Sequence, residues 1–171
     1  MRQSTLSKII LSLTITSFTV WLGSYIARQL VVYQLFEPIN LDLKNFYNAQ
    51  NLSGVLETIF PILMLNLISY PAFLILFFVF IFSSKIKIKN EGWLFIILVL
   101  VIITAPFELY LSFFDFKIVK LLYESTFDSN AVVDLLRKRI TALSSFPMIE
   151  VFSYVAAIFI VIIKPLRKNE N

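Results

Sequence analysis

The chain has 171 residues, of which 58% are hydrophobic and only 15% charged, with a formal net charge of +4. Soluble domains run nearer to about 45–50% apolar and about 25% charged, so a mean hydropathy of +0.83 points to a chain that spends most of its length in lipid. It contains neither Cys nor His, which excludes disulfides, thiolate metal centres, cysteine nucleophiles, histidine proton relays and the usual haem ligand.

The apolar residues gather in four long runs. The first, 9–36, follows a short polar start with Arg2 and Lys8. It is longer than a signal-peptide core and lacks paired small residues for cleavage, so it reads as a retained membrane helix. Thr14, Ser17, Trp21, Ser24 and Arg28 recur in steps of three and four. Such a stripe turns inward when the helix is embedded in lipid. A polar loop, 37–54, follows, marked by Pro38 and several Asn residues. Glu37 and Glu57 flank it and read as solvated interface residues.

The second run, 55–82, holds Pro61 and Pro71. Each removes a backbone hydrogen bond, which predicts a kink. Asn66, Ser69 and Tyr70 form a polar face between them. A short basic turn over 85–91 carries Lys85, Lys87 and Lys89. Trp93 then opens the third run, 93–115, where an interfacial aromatic belongs.

In that third run Thr104, Glu108, Ser112 and Asp115 share one helical face. A carboxylate in a spanning helix costs roughly 2.5–3.5 kcal/mol on insertion scales, so Glu108 calls for a partner or a purpose. Residues 116–123 continue the helix, with Lys117 and Lys120 on its polar side. After a break at 125–130, Asp128 or Ser129 is placed to cap a further helix over 131–143. Val132, Val133, Leu136, Ile140 and Leu143 recur there at helical spacing, and Asp134, Arg137, Lys138 and Arg139 are assigned to the rest of the circumference. The segment reads as an amphipathic helix that lies on the membrane or docks on a partner. Arg137, Lys138 and Arg139 would then form the solvated face of that helix, or contact lipid headgroups or the acidic surface of a partner. The fourth run, 146–163, opens at Pro147, carries Glu150, Ser153, Tyr154 and Ala157 on one stripe, and ends in a basic tail.

The expected fold is all-α: a polytopic membrane protein, one domain spanning 1–171, built as a four-transmembrane-helix bundle with an outer amphipathic helix between helices 3 and 4. The outer loops are 37–54 and 116–145. The start, the 85–91 turn and the tail together hold eight Lys/Arg and two acids, while the remainder holds seven and nine. The positive-inside rule therefore places both termini in the cytoplasm, most simply at a plasma (inner) membrane.

With polar stripes inward, Arg28, Asn66, Glu108 and Glu150 converge, one from each spanning helix. Arg28 would pair with one carboxylate, and the second carboxylate would be free to take up a proton. The same residues also serve as interhelical glue in many membrane bundles. Glu108 or Asp115 offers oxygen ligands for a hard divalent cation, although no spacing specifies such a site. No catalytic motif or cofactor-binding motif is present; a membrane enzyme would need a carboxylate or lysine mechanism that no spacing specifies, and two function classes stand ahead of it. One is a non-enzymatic accessory protein or complex subunit that binds a protein partner, or itself as a homo-oligomer, through its lipid-exposed faces and the outer amphipathic helix. The other is a small oligomeric transporter or channel-like protein that uses the Arg/Glu network for proton or cation coupling. A partner of nucleic acid is not expected, because three basic residues on an outer helix make no nucleic-acid surface.

Overall fold

A computed structural model describes residues 5–84, 86, 88–124 and 126–166. The readings of Arg2, Lys85, Lys87 and the tail beyond Leu166 lie outside the described residues. The described chain is about 80% helix and holds no strand among the described residues: α1 (Thr5–Tyr33), α2 (Leu52–Ser83), α3 (Gly92–Leu122), α4 (Ser129–Ala142) and α5 (Phe146–Ile163), with one 3-10 turn (Ile88–Asn90) before α3. Among them α1, α2, α3 and α5 are long and apolar enough to cross a membrane, so this is a membrane protein built as a helix bundle.

α1 stops at Tyr33 rather than at residue 36. The chain then folds into a tight turn, in which Glu37 N donates to Asp42 O at 2.8 Å and Lys44 N to Leu35 O at 3.1 Å. Leaving the helix there lets Leu35 and Phe36 swing into the core, where both are buried. α2 runs unbroken through Pro61 and Pro71. Two of its polar side chains bond back within the helix: Asn66 Nδ2 donates to Ile62 O at 3.2 Å, and Ser69 Oγ donates to Leu65 O at 2.6 Å. Helix α3 continues to Leu122, as the sequence predicts.

Asp128 caps α4, its side chain accepting from Asn130 N at 2.9 Å. The position of α4 corrects the expectation from sequence. Its apolar residues Val132, Val133, Leu136 and Ile140 are buried in a core shared with Val32 of α1, Leu56, Ile59 and Leu63 of α2, and Ile118 and Val119 of α3. The helix closes one end of its own bundle, so its apolar face meets neither membrane nor partner.

A second core fills the middle of the bundle. Trp21 is fully buried there, with its ring centroid 4.8 Å from Tyr70, 5.0 Å from Tyr154 and 6.0 Å from Phe73. Aromatic pairs at such spacings add about 0.5–1.5 kcal/mol each beyond the area they bury. This layer ties α1, α2 and α5 together without close glycine-mediated crossings.

Candidate functional site: a buried charge cluster

Between the two apolar cores lies a cluster of ionisable side chains drawn from four helices. Asp115 of α3 is its hub. It accepts two hydrogen bonds from Arg28 Nη1 of α1, at 2.8 and 2.9 Å, and two from Arg139 Nε of α4, at 3.0 and 3.2 Å. Arg139 Nη2 also lies 3.7 Å from Glu108 Oε1. Arg28 is 1% exposed, and Asp115, Arg139 and Glu108 are each 2% exposed. The Tyr25 ring lies beneath both guanidiniums, 5.3 Å from Arg28 Cζ and 5.9 Å from Arg139 Cζ, a cation–π arrangement that strengthens when desolvated. Burial works against the charge of Arg139, but Asp115 and Glu108 outweigh it and hold the group above its ordinary value.

Simple helical rise explains why Asp115, rather than a glutamate, pairs with Arg28. Arg28 and Asp115 each stand 23 residues from the start of their helices, about 35 Å along at 1.5 Å per residue. Glu108 sits two turns lower. Asn66, expected in the same network, is buried but bonds within its own helix and makes no hydrogen bond to the charged groups.

Arg139 is the largest departure from the sequence reading. It does not lie on a solvated face and reaches no headgroup. It follows Leu136 by three residues and Val132 by seven, which puts it inside the apolar stripe of α4, and that spacing could have revealed it. Its neighbours behave differently. Arg137 Nε donates to Leu41 O at 2.8 Å, and its guanidinium lies 3.7 Å from Asp42 and 3.8 Å from Asp134, which ties α4 to the α1–α2 loop. Lys138 alone of the three is exposed. Glu37 and Glu57 are also exposed, away from the cluster.

Glu150 of α5 has a different environment. It is 0% exposed; Glu108 and Tyr25 are its main charged and polar neighbours, and Arg139 acts on it more weakly without forming an ion pair. Neither of its oxygens closes a hydrogen bond among the described residues, nor do Glu108 Oε2 and Tyr25 Oη. One turn along α5, Tyr154 Oη lies 2.8 Å from Thr104 Oγ1 of α3. Two guanidiniums thus serve three carboxyl groups, and the third has no cation of its own. Among the described residues no group of three or more carboxylates is arranged to hold a metal ion. Asp115 and Glu108, the two oxygen donors considered for one, face guanidiniums instead.

No protein-family model, curated protein or solved structure matches this chain. The site is therefore read from its geometry.

Proposed function

We propose that this is a small non-enzymatic multi-pass membrane protein whose working group is Glu150, a carboxyl that binds and releases a proton or a monovalent cation inside the bundle. The observation that carries the reading is the division of labour in the cluster. Arg28, Asp115, Arg139 and Glu108 form a clamp that fastens α1, α3 and α4 through ion pairs. Glu150 fastens nothing, yet it is buried beside another carboxylate. An intramembrane carboxyl without a structural task points to ion or proton handling.

Orientation belongs to the same reading. Both termini face the cytoplasm, α4 closes the outer end, and the plasma (inner) membrane is the site. The clamp supports this by removing an obstacle: Arg28 and Arg139 are internally neutralised, so they do not count as exposed charge on the outer side.

The test is infrared difference spectroscopy on the protein in liposomes, stepping from mildly acidic to mildly alkaline buffer, alongside proton flux. The expected result is a protonated-carboxyl band that titrates, together with a flux, both lost in Glu150→Gln. A Glu150→Gln variant with unchanged band and flux refutes the reading.

A second reading has one observation in its favour. Arg28, Glu108, Asp115, Arg139 and Glu150 are all 2% exposed or less, as in a structural element sealed from both sides. A non-catalytic subunit of a larger complex would look like this. Its partner would meet the lipid-exposed faces of the bundle and the polar face of α4, where Asp134 and Lys138 are exposed. Recovery of a defined heteromeric complex from mild detergent would favour it over the first.

A further inference from the structure

The half of the bundle remote from the charge cluster contains a cavity of about 340 Å³. That is at the lower end of the roughly 300–1,000 Å³ typical of small-molecule pockets. Its roof is the aromatic layer, where α1 and α5 meet through Phe18 and Tyr154, with ring centroids 5.6 Å apart. Below that meeting point the walls are apolar, with Phe77 of α2, Ile97 of α3 and Ala157 of α5 among them.

The mouth of the cavity is different in kind. Lys164, the residue that ends α5, lines it together with Trp93. The ammonium lies 5.8 Å from the Trp93 ring, and the Trp93 indole donates to Glu91. The chain beyond α5 then folds back on α3, with Gly92 N donating to Leu166 O at 3.3 Å. Only glycine fits at position 92, because a Cβ there would stand 2.7 Å from the Leu166 side chain. This close approach holds Lys164 at the rim.

We infer that the cavity holds one acyl chain of an anionic phospholipid from the adjacent leaflet, with the headgroup phosphate at Lys164. Lipid tails are as apolar as the cavity walls, so the chain gains little by leaving the bilayer. It fills the space between α1 and α5 with packed atoms. Discrimination between lipids then comes from the headgroup. A Lys near an anionic membrane surface contributes about 1 kcal/mol, or roughly a fivefold preference.

The cavity supplies its own reporter. The chain has two Trp residues: Trp93 at the mouth and Trp21 buried within the aromatic layer. The full chain is placed in nanodiscs of phosphatidylcholine doped with acyl-brominated phosphatidylglycerol or acyl-brominated phosphatidylcholine, and tryptophan quenching is titrated. Phosphatidylglycerol is expected to quench at about fivefold lower mole fraction, through a component absent from Trp93→Phe. Lys164→Gln, at an exposed helix end, should equalise the two lipids. Ala157→Phe, which fills the cavity, should reduce quenching by both. Equal quenching by the two lipids in the wild type overturns the proposal. So does a phosphatidylglycerol preference that survives Lys164→Gln, or quenching unaffected by Ala157→Phe.

Discussion

Replacing Asp115 by Leu would test the clamp most severely. The carboxylate accepts all four of the short contacts from Arg28 and Arg139. Without it, two guanidiniums remain buried, and the nearest carboxylate oxygen to Arg139 is Glu108 Oε1 at 3.7 Å. A carboxyl stranded in this way can neutralise itself by taking a proton, but a guanidinium cannot. Breaking a buried pair from one side costs about 3–5 kcal/mol, and here one substitution strands two cations. The cost should reach the top of that range, a fall in melting temperature of about 10 °C or more for a chain of this size. Arg28→Leu should cost less, because Asp115 keeps Arg139. The double variant Arg28→Leu with Asp115→Leu should be more stable than Asp115→Leu alone, since it removes one stranded charge. Thermal unfolding in mild detergent, followed by tryptophan fluorescence, gives the order directly. The reasoning fails if Asp115→Leu is no worse than a substitution at exposed Lys120, or if the double variant is the least stable of the three.

The remaining expectations concern other parts of the molecule. Glu150→Gln should change stability by less than about 1 kcal/mol in the same assay, because no ion pair or hydrogen bond of Glu150 is lost; a loss comparable to Asp115→Leu would make Glu150 part of the clamp. Trp21→Ala should cost about 3–5 kcal/mol, as for a large aromatic removed from a closed core, while the same change at the exposed Phe82 should be nearly silent in detergent. The absence of Cys gives a clean background for topology: Lys138→Cys should react with an impermeant maleimide on intact cells, and Lys8→Cys only after permeabilisation. The opposite pattern reverses the orientation.

Much of this structure was legible in the residues themselves. Four apolar runs with Pro, Asn and Lys-rich breaks dictate four long helices, because in lipid a helix is the way a single segment satisfies its own backbone. The inward stripes were largely legible too: Thr14, Trp21, Ser24 and Arg28 on α1, Thr104, Glu108 and Asp115 on α3, and Glu150, Tyr154 and Ala157 on α5 are buried, while Ser17, Ser112 and Ser153 of the same stripes are half-buried. Local chemistry also narrowed the α4 cap to Asp128 or Ser129, and the structure shows Asp128, whose short acidic side chain accepts an unpaired N–H of the first turn.

Pairing was not legible. Composition and periodicity say which side of a helix is polar, but the partner of a charge depends on the relative height of two helices and on where the intervening loop returns. Arg28 and Asp115 are 87 positions apart in the chain and meet because α1 and α3 rise by equal amounts before reaching them. Arg139 was assigned to solvent because it lies in a basic triplet, yet its own spacing from Leu136 belongs to the apolar stripe. The folding of α4 back over the bundle supplied the carboxylate that makes such burial tolerable. The residues alone dictate the helices and most of their inward faces. Which charges neutralise one another, and that Glu150 forms no ion pair, follows from the packing of the helices, because that balance is set by distances of a few ångström between elements remote in the chain.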